Sequence, residues 1–476
     1  MSFIENILVT TDAGVVDEPR LLFTAPWEPV VVRRGDALGL RALADQFAEV
    51  VAPGLSNRVR DGRWVTILAW CLVKSHAVFH ASGKRSVETR AVQRERYAWL
   101  RPLELIWVAR TIALAKEDWR DRSLGGQRRV RRWYEDDMQS TDRFGMSVDQ
   151  FRAYRQTGMY GGYRLAFRKW LGMTVLGDGW TPAQATIELA KWLDGKLGVA
   201  RPSRSLHVGD GDEDSPSARS AKLGRGEEHR WWLRQWKTFD QGGRSADENT
   251  LPRRKNDFTI LPEADRLKPL VFGSDQAGRR RTEVAREMAK VSAASHIEVC
   301  EHLSRVFAGN RTIALIPGFS RLADAGMAAM DLVAESLRSK PLVTVAEVGG
   351  LPTAVRICED LMRAAQEWRK VAEMQIRHIE TAHRFANCIP NGHPIECLSA
   401  VLHHHEIYGG GLRWFVLRNG RVELRSPPGS SSSRYRFRLW PLCRLATQCG
   451  VLRKMPHSLL IDTEAEEDET SENADE

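Results

Sequence analysis

The sequence predicts a mainly α-helical protein with a small antiparallel β module near its C-terminus, which makes it α+β overall. Two patterns favour this fold class. Apolar residues recur at helical spacing in several long segments before residue 400, whereas apolar and polar residues alternate only in the C-terminal part. The chain has 476 residues, which at about 150 residues per domain is enough for more than one globular unit and a sizeable buried core.

The first part of the chain is predicted to form an N-terminal helical domain over residues 1–197. Residues 36–51 place apolar side chains at helical spacing, and Pro53-Gly54 then ends the helix. Two further segments, 64–79 and 92–114, have the length and apolar character of buried helices. We therefore expect a helical core in this part of the chain.

The next two regions differ sharply in composition. Residues 198–257 are rich in Ser, Gly, Pro and charged residues, so they are predicted to be a flexible linker. This linker contains a Trp-rich island at 231–236, which we expect to dock on a neighbouring domain. Residues 258–410 are predicted to be a second helical domain, whose main feature is one long amphipathic helix over 352–385 with a scaffolding role.

Residues 411–461 are predicted to form a basic β-hairpin/helix module. Asn419-Gly420 lies between two runs that alternate apolar and polar residues, which is a strong hairpin signal. The alternation over 435–440 predicts a further strand, and a helix is expected over about 441–449. We expect this helix to cover one face of a small antiparallel sheet.

Charge is distributed very unevenly along the chain. The whole sequence carries 70 Lys and Arg against 61 Asp and Glu, a net charge of +9. Residues 462–476 hold nine acidic residues and no base, so they are predicted to be a disordered acidic tail. Residues 411–461 hold ten basic residues and the single acid Glu423. A region this basic favours an anionic partner, and nucleic acid is the partner we expect.

Composition also excludes some classes of protein. The first residues lack the basic and apolar regions of a signal peptide, and the longest apolar run, 64–73, is shorter than the roughly 20 residues needed to span a bilayer. The seven cysteines are scattered, which argues against a disulfide framework. We therefore expect a cytoplasmic protein with no membrane span.

Signatures of common enzymes are absent from the sequence. It contains no phosphate-binding loop of the G-x-x-x-x-G-K-S/T type, no G-x-G-x-x-G after a predicted strand, and neither G-x-S-x-G nor H-E-x-x-H. No catalytic residue, cofactor or metal is therefore predicted. A zinc site is the alternative, because His and Cys are frequent between residues 383 and 405, although their spacing matches no C-x-x-C pairing.

Candidate nucleic-acid-binding residues come from two places. The segment 142–172 interleaves Arg with Tyr, Phe and Trp, which supplies phosphate ligands beside stacking surfaces. Glycines at 158, 161 and 162 predict a tight turn that exposes the tyrosines, and the alternative is a helix pair whose aromatic residues form core. Together with arginines of the basic C-terminal module, the predicted site comprises Arg152, Arg155, Tyr160, Tyr163, Arg164, Arg168, Arg413, Arg421, Arg434, Arg436 and Arg438.

The segments that carry a family resemblance are 40–72, Arg101-Pro102-Leu103-Glu104, Tyr160-Gly161-Gly162-Tyr163-Arg164 and 433–450. They are similar to segments of a little-studied group of bacterial proteins encoded in phage-defence gene clusters beside helicases and nucleases. The shared segments are structural patterns without a catalytic signature, so the resemblance assigns no functional residue. It implies a cytoplasmic prokaryotic protein that is one subunit of a multi-gene system acting on foreign DNA.

Together these observations predict a non-catalytic nucleic-acid-binding or scaffolding subunit of a prokaryotic anti-phage defence system. Its expected partners are DNA, with RNA as an alternative, and other defence subunits such as a helicase or nuclease. A metal-dependent nuclease with dispersed acidic residues is one alternative function. The other is a protein-binding adaptor that uses the Trp-rich island and makes no contact with nucleic acid.

Overall fold

The structure, a computed structural model, confirms a mainly α-helical fold with a small three-stranded antiparallel sheet. The predicted Trp-rich island and acidic tail lie outside the residues that it describes. The described residues are 36–81, 90–122, 124, 158–197, 249–292, 295–372, 375–410, 414–426 and 434–460.

The predicted N-terminal helices are confirmed. Two of them pack through tryptophans, since the rings of Trp70 and Trp107 meet edge to face with centroids 6.0 Å apart. Trp70 lies in the second described helix of the chain and Trp107 in the third. The described helices before residue 200 are α1 (Arg41–Val51), α2 (Gly62–Ala81), α3 (Arg90–Ala115), α4 (Met159–Lys169) and α5 (Gln184–Lys196).

A second group of helices packs around one long central helix. Phe319 of this central helix contacts Trp368 of a neighbouring helix, with ring centroids 6.1 Å apart. The helices of this group are α6 (Ala264–Val271), α7 (Gln276–Met288), α8 (His296–Val306), α9 (Arg311–Ala314), α10 (Ile316–Ser339), α11 (Val345–Gly349), α12 (Pro352–Arg369), α13 (Ile379–Cys388) and α14 (Pro394–Tyr408).

The prediction of a single helix over 352–385 is wrong. α12 ends at Arg369 and α13 begins at Ile379, directly after His378 in a left-handed conformation (φ 68°). The break allows α13 to fold back against α12, where Ile379 and Phe385 are buried. A continuous helix would leave these apolar side chains in water, so burial favours the break.

The hairpin prediction is confirmed. β2 (Phe415–Arg418) and β3 (Arg421–Leu424) pair antiparallel around Asn419 and Gly420. Both turn residues have positive φ angles, 49° and 71°, as the tight turn of a two-residue hairpin requires. The third strand is β1 (Leu342–Thr344), which pairs with the other edge of β3 and gives the strand order β1-β3-β2.

The predicted strand over 435–440 is wrong. This segment leads instead into the helix α15 (Leu439–Gln448). Phe437 inserts into the core, with its ring centroid 6.2 Å from that of Phe47 and 6.3 Å from that of Phe319. The alternating pattern is therefore explained by one buried side chain, Phe437, in the segment before a helix, and not by a strand.

Nearly all buried apolar residues of the described chain form one contiguous cluster. This cluster crosses the predicted domain boundaries at 197/198 and 410/411. For example, Phe47 of α1 contacts Phe319 of α10, with ring centroids 5.0 Å apart, and α7 packs against α15. The division into domains stays a prediction, and the described parts of the chain share one core.

Residues just before α2 and in its first turn form hydrogen bonds with distant parts of the chain. The Arg63 guanidinium forms a bidentate ion pair with Glu263 (2.6 and 2.9 Å), and both side chains are fully buried. The Asp61 carboxylate accepts hydrogen bonds from the Gln448 side chain (3.1 Å) and from the backbone N–H of Arg253 (2.7 Å). This turn therefore joins the N-terminal helices to the segment before α6 and to α15.

We expect Glu263→Gln to destabilise the fold by about 3–5 kcal/mol, because it leaves the Arg63 charge buried without its counter-ion. Replacing both partners with apolar residues, Arg63→Met with Glu263→Leu, should cost less, because no charge then stays buried. Urea denaturation followed by circular dichroism measures both variants. Equal losses in the two variants would contradict the importance of the unpaired charge.

Candidate nucleic-acid interface

The strand register divides the small sheet into a buried face and an exposed face, since side chains alternate between faces along each strand. Val422 in the central strand is buried, whereas its neighbours Arg421 and Glu423 are exposed. Arg418 of β2 lies opposite Arg421 and is exposed, as is Arg425 two residues beyond Glu423. The exposed face carries Arg418 and Arg421, and Arg425 follows directly after the end of β3; these three are here called the hairpin arginines (Arg418, Arg421 and Arg425).

The hairpin arginines are placed at a cost to stability. Arg418 and Arg421 stand directly opposite each other, and like charges in this arrangement are destabilising. The acid of the same face, Glu423, lies opposite Val416 rather than opposite an arginine. Three planar guanidinium groups on one exposed face suit the oxygen atoms of phosphate groups.

The other predicted arginines of the C-terminal module are not equivalent. Arg434 is exposed, Arg436 is half-buried and Arg438 is buried. The Arg438 guanidinium forms ion pairs with Glu49 (2.7 Å) and Asp45 (3.6 Å) of α1. The prediction of Arg438 as a phosphate ligand is therefore wrong, because these carboxylates already compensate its charge and hold the segment before α15 against α1.

Tyr160 and Tyr163 are fully buried, so the prediction that they are exposed for base stacking is wrong. Both lie within α4 rather than in an exposed turn. The Tyr160 ring packs against Trp180 with centroids 5.3 Å apart. The Tyr163 hydroxyl donates to the backbone carbonyl of Asp61 (3.0 Å) and accepts from its N–H (3.0 Å). Both tyrosines therefore belong to the core.

Gly162 explains why this glycine-rich segment does not form an exposed turn. A Cβ atom at this position would lie only 2.8 Å from the Cβ of Arg58. The absence of a side chain lets α4 approach the segment before α2 closely, and the Ser56 hydroxyl donates to the carbonyl of Gly162 (2.6 Å). The glycines that predict a turn from sequence instead permit close packing.

The predicted arginines of α4 lie nearer the surface. Arg164 is half-buried, and its guanidinium lies over the Trp180 ring, 4.8 Å from the centroid. Arg168 is exposed, and its Nε donates to the carbonyl of Gly177 (3.3 Å). Three further predicted arginines lie outside the described part of the chain: Arg152, Arg155 and Arg413. The contacts expected of them stay predictions.

Sequence reasoning missed the buried carboxyl group of Glu104 in α3. It accepts a hydrogen bond from the backbone N–H of Tyr160 (3.1 Å) in the first turn of α4, where a carboxyl group complements the helix dipole. Burial raises the pKa of Glu104 from 4.5 to about 7, although Arg101 nearby opposes the change. An acid inside the apolar run 103–108 of α3 is the sequence signal that could have indicated this group.

The triple histidine within the His- and Cys-rich stretch has a packing role. His404 Nε2 lies 3.1 Å from the carbonyl oxygen of Leu38, and His405 Nδ1 lies 2.7 Å from that of Ala37. These contacts hold the segment before α1 against α14. Within the described ranges, no group of three or more His, Cys, Asp or Glu is placed to hold one metal ion.

Comparisons with known proteins do not identify the chain. No protein-family model, curated protein or solved structure matches it. Among the helices that the structure describes, none is both long enough and apolar enough to cross a membrane. The resemblance to proteins of phage-defence clusters therefore stays a prediction.

We expect Tyr160→Ala and Tyr163→Ala each to lower the free energy of unfolding by about 3–5 kcal/mol, as truncation of other buried aromatic residues does. Tyr163→Phe should cost about 1–3 kcal/mol, because the backbone polar groups of Asp61 lose their buried partner. Urea denaturation measures these losses. Wild-type stability combined with weaker nucleic-acid binding would instead support the stacking role.

We expect Glu104 to make stability fall as the pH rises from about 4.5 to about 7. The carboxyl group has a higher pKa in the folded state than in the unfolded state, so the folded state binds more protons in this window and raising the pH favours unfolding. A pKa change of this size corresponds to at most about 3 kcal/mol.

Glu104→Gln is the matched variant for this test, because its side-chain oxygen can still accept the hydrogen bond from Tyr160. The free energy of unfolding, measured in urea at a series of pH values, should then depend less on pH between 4.5 and 7. If the variant keeps the wild-type pH dependence, another group is responsible.

Proposed function

We propose that this protein is a nucleic-acid-binding or scaffolding subunit of a prokaryotic anti-phage defence system, with no catalytic role of its own. The observation that supports nucleic-acid binding is the exposed sheet face with its hairpin arginines. Guanidinium groups can bind phosphate oxygens through paired N–H donors, and such bonds are strong. The defence context, the cytoplasmic location and the helicase or nuclease partners follow from the resemblance.

The contacts that this face offers are to the phosphate backbone rather than to bases. Within the paired strands its apolar positions are Val416 and Leu342, which both pair with Glu423, and neither is aromatic. Trp414, just before β2, is fully buried and so is not available to stack on a base. Phosphate contacts position a protein on nucleic acid without selecting a sequence. The proposal is therefore binding without sequence preference, to DNA or, as the alternative, to RNA.

The test replaces the hairpin arginines together by alanine. Each phosphate that a cation neutralises contributes about −0.9 to the slope of log affinity against log salt concentration on duplex DNA. We expect the triple variant to bind mixed-sequence duplex DNA more weakly at low salt and to have a slope shallower by up to about 3. Fluorescence anisotropy over a series of salt concentrations measures both quantities.

A control variant removes the same charge elsewhere. Arg279, Arg286 and Arg305 are exposed on α7 and α8, outside the sheet. Replacing these three by alanine lowers the net charge equally, so it should leave most of the affinity and slope unchanged if the sheet face is the binding surface. Equal effects of the two triple variants would refute the proposed face.

One observation favours the adaptor alternative. The loop between α4 and α5 exposes Leu171 (75%) and Leu176 (101%), and Leu176 has a positive φ of 50°. Asp178 stiffens this loop by accepting hydrogen bonds from the N–H groups of Trp180 (2.7 Å) and Thr181 (2.9 Å). These two leucines, exposed on one strained and hydrogen-bonded loop, are the residues of this loop that would contact another protein. A pure adaptor would bind no nucleic acid at any salt concentration.

A further inference from the structure

Two chemically soft side chains meet where α13 ends beside α14. Cys388 is the last residue of α13, and its Sγ lies 3.7 Å from Nδ1 of His404 in α14. The thiol also donates a hydrogen bond to the carbonyl of Phe385 (3.0 Å). The two residues are 16 positions apart in sequence, so the packing of the two helices brings them together.

The hydrogen bond to the carbonyl of Leu38 determines which nitrogen of the His404 ring carries the proton. The other nitrogen faces the Cys388 thiol and keeps its lone pair. A carbonyl oxygen only accepts, so the contact between His404 Nε2 and the Leu38 oxygen (3.1 Å) places the imidazole proton on Nε2. The lone pair on Nδ1 is therefore available on the side of Cys388.

The pair opens into a groove on the surface. The groove has a volume of about 690 Å³ and is lined by Cys388 and His404 together with Glu396, Ser399 and His403. Cys388 is exposed, whereas the other six cysteines of the chain are buried. His404 is 4% exposed, so a solute in the groove meets the thiol directly and the imidazole only where it forms part of the groove wall.

A second Cys–His pair in the same protein provides a comparison. Cys300 Sγ lies 3.4 Å from Nε2 of His296, so its geometry is similar. Both residues are buried, and the ring of Phe437 stacks on His296 with centroids 5.7 Å apart. The two histidines are similarly buried, at 8% exposure for His296 and 4% for His404. The two pairs therefore differ in the exposure of the thiol, since Cys300 is buried and Cys388 is exposed.

We propose that Cys388 and His404 together bind a thiophilic metal ion of the Cd²⁺, Zn²⁺ and Cu⁺ class at the α13–α14 groove. Thiolate and imidazole are the ligands that such ions prefer. With a metal–sulfur bond of about 2.3 Å and a metal–nitrogen bond of about 2.0 Å, two ligands at a tetrahedral angle lie about 3.5 Å apart. The observed separation of 3.7 Å therefore fits one shared ion with little movement.

Binding requires one proton to leave and no electron transfer. The Sγ–H bond breaks, its proton goes to solvent, and the sulfur electron pair forms the bond to the metal, while Nδ1 of His404 donates its existing lone pair. The remaining coordination positions face the groove, where water can occupy them. A bound ion would link the end of α13 to α14 and, through Leu38, to the segment before α1.

The experiment titrates the full-length chain with Cd²⁺ and follows the ultraviolet sulfur-to-metal charge-transfer absorption together with the heat of binding. We expect one ion per chain and a melting temperature that rises with Cd²⁺ concentration, because the ion binds the folded state. Cys388→Ser should abolish the absorption. His404→Gln, which can still donate to the Leu38 carbonyl, should weaken binding by at least the roughly tenfold to hundredfold that loss of an outer-shell partner costs.

Cys300→Ser is the matched control, because it removes the thiol of the buried pair. We expect this variant to bind Cd²⁺ with wild-type affinity and stoichiometry. Binding that survives Cys388→Ser would overturn the proposal. Wild-type affinity in a folded His404→Gln variant would also overturn it, since the metal would then be held by a single thiol. The melting temperature of each metal-free variant verifies that it is folded.

Discussion

The fold depends on a buried polar junction at the start of α2. Arg63 and Glu263 are both fully buried, and a buried ion pair is tolerated only when its remaining donors and acceptors also find partners. Here the Thr66 hydroxyl donates to Glu263 (3.1 Å), and Arg63 donates to the carbonyl of Asn249. Because these partners come from distant parts of the chain, the junction is complete only when the whole core has assembled.

The same constraint separates structural arginines from available ones. Arg281 is buried, and its guanidinium donates to the carbonyls of Val271 (2.5 Å) and Pro53 (2.6 Å). Arg438 is also held in place, but by carboxylates of α1 rather than by backbone carbonyls. The hairpin arginines, by contrast, lie on a face that points away from the core. The arginines of this protein therefore include buried ones that hold the core together and exposed ones on the sheet. Only the exposed arginines are available to bind a ligand.

Local sequence patterns were sufficient to predict much of the fold but only a small part of the candidate sites. The helices α1 to α3 and the hairpin at Asn419-Gly420 depend on residues a few positions apart, so periodicity and turn chemistry predict them. Arg421 follows from the same hairpin pattern. The Cys388–His404 pair does not, because no short spacing connects two residues on different helices.

The sequence by itself determined the mainly helical fold class, the positions of α1 to α3 and α15, and the basic character of the C-terminal module. Only the tertiary structure decided that 352–385 is two helices, that Tyr160 and Tyr163 are core, and that Arg438 is neutralised by α1. Local patterns are compatible with either outcome in each case. The choice depends on which apolar and charged groups become neighbours in the folded core, and those neighbours are distant in sequence: Tyr163 is 102 residues from Asp61, and Arg438 is 389 residues from Glu49.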